Sequence, residues 1–184
     1  MLTAAQLLTL GGGDFAFSGK SGIKEGSGIP GFASEVITYD GALEGSVSDG
    51  KLTLSAGGSL AASEGTFIRN MDERATVGPS VKGGFLASDQ FSGCDFTLLK
   101  NPAGTLLGAH VYSSENCRAA IQNVPKGWSI VGTWKSSGYI EKWQVTGLFA
   151  FAFPEGNKVK VVAMGLKGYP PKIAQVELAA TFDL

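Results

Sequence analysis

The stretch FSGCDFTLLKNPAGTLLGAH, Phe91 to His110, holds the two side chains best able to act together as nucleophile and base. Cys94 follows Ser92 and Gly93, and His110 is the only histidine in the chain. A glycine before the cysteine permits a backbone turn closed to other residues, which can leave the cysteine's own N–H unpaired and pointing outward. A thiol beside a free N–H suits acyl transfer, since the sulfur attacks a carbonyl and the N–H stabilises the oxyanion that forms. Asn101-Pro102-Ala103-Gly104 reads as a turn, so residues 94 to 100 and 105 to 112 are expected to be antiparallel neighbours. A five-residue loop, Lys100 to Gly104, pairs Leu99 with Thr105 and sets Cys94 opposite His110, with Cβ atoms about 4.5 to 5.5 Å apart. A four-residue loop puts the two on opposite faces; Cys94 is then a small buried hydrophobe and His110 an ordinary core histidine. On the favourable register Phe96, Leu98, Leu106 and Gly108 share the face, and the side chain missing at Gly108 leaves a gap for part of a substrate.

These residues need a scaffold, and composition says which kind. A chain of 184 residues with 43% apolar and 17% charged side chains supports one core and one domain, 1–184. A net charge of -1 without basic runs excludes nucleic acid and anionic membrane as partners. The opening MLTAAQLLTLGGG lacks the positive region of a cleavable signal peptide and the length of a membrane span. Thr3 and Gln6 instead form a capping-box pattern with Gly11 as a stop, which predicts a helix over about residues 4 to 10. A second helix is predicted over Ser114 to Val124, with Ser114 as cap, Glu115 in the first turn and Pro125 as terminator. Short apolar and β-branched runs fill most of the rest, among them residues 35 to 39, 51 to 56, 65 to 70, 128 to 134 and 143 to 153. PEGN at 154 to 157 marks a hairpin turn between the run at 143 to 153 and another at 158 to 166. The expected fold is therefore α+β and strand-dominated: a β-sandwich or strongly bent mixed sheet with a few short peripheral helices.

Phe91-Ser92-Gly93-Cys94, with a histidine sixteen residues on across a hairpin, resembles the L-S-G-C signature of the glutamine deamidase toxins. That family includes the catalytic domain of cytotoxic necrotizing factor and Burkholderia lethal factor, and more distantly the chemoreceptor glutamine deamidases. Phe91 stands where leucine is usual, and the likeness covers about residues 85 to 112. Several members carry a threonine six residues before the cysteine; here that position is Ser88, also a hydroxyl, while other members use a backbone carbonyl in its place. The resemblance implies a protein glutamine deamidase with Cys94 as nucleophile, His110 as base and Ser88 as the group that orients the imidazole. It implies a thioester intermediate, a thiol whose pKa a neighbouring imidazolium lowers, and no metal or organic cofactor. It further implies a monomeric bacterial effector or toxin, secreted or translocated, whose partner is a host protein carrying the target glutamine and whose workplace is the host cytosol. A cysteine protease or transglutaminase would use similar groups, and a non-catalytic β-sandwich binding module is the alternative of a different class.

Other features carry less. GGGDFAFSGKS, Gly11 to Ser21, departs from a phosphate-binding loop at Asp14 and reads as a flexible loop. Cys117 on the second helix is expected to pack in the core; a Cys94–Cys117 disulfide is the arrangement that would abolish the mechanism. Trp128, Trp134 and Trp143 are expected to be core aromatics. Asp72, Glu73, Asp89 and Asp95 form no metal-ligand set with a single histidine, and Asp89 and Asp95 are expected to cap turns or face solvent.

Overall fold

Thr3 and Gln6 make the capping box: Thr3 Oγ1 accepts from the Gln6 N–H at 3.2 Å, and Gln6 Oε1 accepts from the Thr3 N–H at 3.0 Å. The helix they start, α1 (Ala4–Leu7), is closed already by Leu8 instead of running to about residue 10. Beyond it the computed structural model, which describes residues 1–184, is built mainly from strands. Eight of them form a closed barrel. In spatial order these are β1 (Asp14–Ser18), β13 (Lys172–Asp183), β12 (Lys158–Lys167), β11 (Gly147–Glu155), β7 (Phe85–Ser88), β5 (Gly65–Ile68), β3 (Asp40–Ser48) and β4 (Lys51–Ala56). The remaining five form a second sheet in the order β10 (Ser129–Lys135), β8 (Asp95–Lys100), β9 (Leu106–Val111), β6 (Ala75–Pro79) and β2 (Val36–Thr38). The only other α-helices are α2 (Glu115–Gln122) and α3 (Tyr139–Trp143).

The fold is strand-dominated with few short helices, as expected; where a sandwich or a strongly bent mixed sheet was expected, the larger sheet closes into a barrel whose wall faces the second sheet. The mixed sheet bends until parallel pairing of β1 with β4 closes it, which removes its free edges. Residues 14 to 18, expected to be a flexible loop, supply that closing strand. Its Phe15 and Phe17 project against Phe149 and Phe67, so burial of aromatic surface overrides the glycines on either side. Helix α3 was not foreseen either; it precedes β11 and presents Tyr139 to Trp134 and Trp143. PEGN forms the expected hairpin, with Glu155 paired to Lys158 around Gly156 and Asn157.

Three apolar layers result. Phe67, Phe85, Phe149, Phe151 and Phe153 fill the barrel interior together with Leu7 and Leu10. Ile68, Leu86, Ala150 and Val161 on the barrel's outer face pack against Phe96, Leu98, Leu106 and Trp134 of the five-stranded sheet. The far side of that sheet is covered by α2 through Cys117, Ala120 and Ile121. Ser114 caps α2 as predicted, accepting from the Cys117 N–H at 3.2 Å. Trp128 meets Phe32 edge-on at 5.0 Å, and Trp134 is buried, so the core expectation for the tryptophans describes Trp134 best.

Candidate active site

β7 alternates. Phe85 and Ala87 point into the barrel, while Leu86 and Ser88 point at the facing sheet. Ser88, fully buried, ends that strand beside Ile68, its register partner in the parallel neighbour β5. From there its Oγ donates to the Ile68 carbonyl at 2.6 Å and lies 2.9 Å from His110 Nδ1. A hydroxyl has one proton to give. With that proton on the Ile68 carbonyl, Ser88 Oγ accepts from Nδ1–H, and the neutral imidazole carries its lone pair on Nε2. The two orienting groups considered from sequence, a hydroxyl and a backbone carbonyl, are here successive links of one chain.

His110 reaches Ser88 because sheet and barrel approach closely. Gly78 and Gly108 are directly paired in β6 and β9. A Cβ on Gly78 would fall 2.6 Å from the Asp40 Cβ, and one on Gly108 would fall 2.7 Å from Ile68 Cδ1. The space at Gly108, expected to be a gap for substrate, is thus occupied by Ile68 and Phe96.

The hairpin loop has five residues, as the favourable reading required, but they are residues 101 to 105. Asn101 Oδ1 accepts from the N–H groups of Ala103 and Thr105 at 3.0 and 2.9 Å, which gathers Thr105 into the loop and pairs Lys100 with Leu106. His110 therefore pairs with Phe96 instead of Cys94. Cys94, two residues further along β8's line, lies on the same face as a diagonal neighbour, a relation that spans about 7–8 Å in a regular sheet. The thiol and the imidazole make no hydrogen bond, and His110 Nε2 has no partner. Phe91 stacks on the imidazole, ring centres 4.2 Å apart and planes 17° from parallel.

Gly93 adopts φ 134°, in the region that favours glycine, while a Cβ there would find no atom nearer than 3.9 Å. The need for glycine is torsional, not one of space. The Cys94 N–H donates to no acceptor within the protein, as the sequence suggested. Both cysteines are free, and they sit in different apolar layers on opposite sides of the sheet, so the disulfide alternative is not formed.

Electrostatics correct a further expectation. The Cys94 thiol is pushed up from its ordinary value, chiefly by burial, with the Ser113 and Ser92 N–H groups partly offsetting this. Burial, with the Lys20 charge adding to it, lowers the His110 pKa to about 3. The resting pair is thus neutral thiol and neutral imidazole; the imidazolium needed to lower the thiol's pKa is absent because its charge would be stranded in an apolar seam. Asp89 and Asp95, expected at turns or in solvent, are both buried. Asp89 Oδ2 pairs with Lys20 Nζ at 2.7 Å, and Asp95 Oδ2 with Arg118 Nε at 3.0 Å. Burial raises the Asp89 carboxyl despite Lys20. A cavity of about 340 Å³ opens beside Phe91 and Ser92, walled by Ile140, Leu148 and Phe149; neither Cys94 nor His110 lines it.

Sequence reasoning missed Ile68, Phe91 as a cover for the imidazole, Lys20, Arg118 and Ser136. Only Arg118 had a local signal, one turn beyond the Ser114 cap on the helix that follows β9. Ser88→Ala is expected to lower the unfolding free energy by about 1–3 kcal/mol, because it strands the buried Nδ1–H and weakens the hold on the Ile68 carbonyl. Denaturant unfolding measures this; an unchanged midpoint would remove the chain of bonds as a structural element.

No protein-family model matches the chain, and no curated protein matches it.

Proposed function

We propose that the chain is a cysteine-dependent protein glutamine deamidase, of the effector or toxin kind, acting on a host protein in the host cytosol. The observation that carries this reading is the Ser88–His110 bond at 2.9 Å, which joins the hydroxyl six residues before the cysteine to the single histidine. In the proposed reaction His110 Nε2 takes the proton of the Cys94 thiol as sulfur attacks the glutamine Cδ. The tetrahedral oxyanion is met by the Cys94 N–H. The C–N bond then breaks, ammonia leaves with the proton from Nε2–H, and a thioester remains. Water, giving a proton to Nε2, attacks the thioester; the C–S bond breaks, sulfur regains its proton and glutamate is released. Proton transfer accompanies attack here, since both groups are neutral at rest.

The burial of Cys94 and His110, 8% and 1% exposed, favours the second reading, a non-catalytic binding module. Incubation with a host-cell lysate, followed by mass mapping of glutamine converted to glutamate, separates the two. Conversion with the wild-type chain and none with Cys94→Ser is expected. Cleavage or cross-linking without conversion would assign the chemistry to a protease or transglutaminase, and no covalent change at all would leave the binding module.

A further inference from the structure

The peptide between Gly93 and Cys94 is held from both sides, and the geometry points to Arg118 and Ser136 as positioning residues that aim the Cys94 N–H at the reacting carbonyl oxygen. Four backbone polar groups flank the bond. The Gly93 N–H donates to Ser136 Oγ at 3.0 Å. The Gly93 carbonyl accepts from Arg118 Nη2 at 3.2 Å. The Cys94 carbonyl accepts twice from one residue, from Ser136 Oγ at 2.7 Å and from the Ser136 N–H at 3.2 Å. The fourth group, the Cys94 N–H, is the one without a partner. Because a peptide unit is planar, fixing the Gly93 carbonyl fixes the direction of the N–H on its other side.

The two holders differ in kind. Ser136 is buried and follows β10, whose Lys135 pairs with Asp95, so it arrives through sheet register. Arg118 comes from α2 and spans the cysteine in sequence: Nη2 takes Gly93 on one side while Nε takes Asp95 on the other. Guanidinium alone presents two such donors in one rigid plane; a lysine keeps the charge opposite Asp95 but not the second directed bond. Gly93 at φ 134° is a backbone poorly held by local preference, so holding by distant residues has something to do.

This inference rests on the acyl-transfer reading of Cys94, and its test uses two reagents that have attack by the Cys94 sulfur in common but differ in need for the oxyanion donor. Acylation by p-nitrophenyl acetate forms the C–S bond, builds charge on the carbonyl oxygen and expels p-nitrophenolate; alkylation by iodoacetamide displaces iodide and builds no oxyanion. Both are followed on the full chain at mildly alkaline pH, with intact-mass confirmation at Cys94 and a thermal melt for each variant. Arg118→Lys is expected to slow acylation by about 10- to 100-fold, somewhat less than outright loss of an oxyanion donor, with alkylation within about threefold of wild type. Ser136→Ala, which loosens the same peptide without touching Asp95, is expected to do likewise and serves if Arg118→Lys melts. Parallel loss of both rates, loss of neither, or a wild-type chain that alkylates but does not acylate would overturn the assignment. Should the ester rates behave as expected while lysate glutamines stay unconverted, the deamidase reading falls and the peptide-holding role stands.

Discussion

His110→Asn is expected to reduce the proposed acyl transfer at Cys94 by about 10²- to 10⁴-fold, the range that general acid–base catalysis supplies. The asparagine amide nitrogen stands where Nδ1 stood and can still donate to Ser88, so the seam between barrel and sheet keeps its hydrogen bond while losing the group that takes the proton in the proposed reaction. The same substitution has a second effect on stability. His110 has a pKa of about 3 in the folded chain against an ordinary value of 6.5. Above pH of about 6.5 the imidazole is neutral folded and unfolded, and it adds no pH dependence. Below that the unfolded chain binds a proton that the folded chain refuses, so stability falls as pH drops from about 6.5 toward about 3. The full loss is on the order of 5 kcal/mol, at about 1.4 kcal/mol per pKa unit. Asp40 and Asp89, both raised by burial, act in the opposite sense, since the folded chain protonates them first. They are present in both proteins, so the wild-type minus His110→Asn difference in unfolding free energy isolates the imidazole. A difference that stays flat across the acid range would mean that His110 titrates normally and is not sealed in the seam.

Phe91→Ala is expected to destabilise the chain by about 3–5 kcal/mol, the range for removing a buried aromatic. Phe91 is 1% exposed, stacks on His110, and meets Phe96 and Trp134 edge-on with centres at 5.8 and 5.4 Å. Phe91→Leu, which places there the residue usual in the family the motif resembles, keeps an apolar side chain and is expected to lose less than Phe91→Ala. The truncation also admits water to one face of the imidazole. Because burial is the main reason its pKa is low, the His110 pKa in Phe91→Ala should rise toward the ordinary range, as followed by the ring proton shifts across pH. A loss below about 1 kcal/mol in guanidinium unfolding, with an unmoved His110 titration, would show that the ring neither packs nor seals.

Much of the local architecture was legible in residue order. The capping box at Thr3 and Gln6, the Ser114 cap, the turn at Gly156 and Asn157 and the torsional demand on Gly93 all depend on groups within a few residues of one another. Failures came where distance along the chain entered. The strand at 14 to 18 is made by its pairing with Lys51–Ala56, and no local pattern among flanking glycines declares a partner so far away. The hairpin register turned on which residues Asn101 gathers into its loop, a choice of one residue that moved the partner of His110 from Cys94 to Phe96.

The sequence by itself determined the cysteine-bearing turn, with a glycine whose backbone is free to leave the next N–H without a partner, and a hairpin that returns the one histidine alongside it. Those are properties of neighbouring residues and of turn chemistry, and they hold wherever the hairpin is placed. Tertiary structure decided the rest. It brought Ser88 and Ile68 from the barrel wall to His110 on the facing sheet, across a seam that the paired Gly78 and Gly108 allow to close. It also set the charge state, since only packing decides how much water a thiol and an imidazole retain, and here burial keeps both neutral.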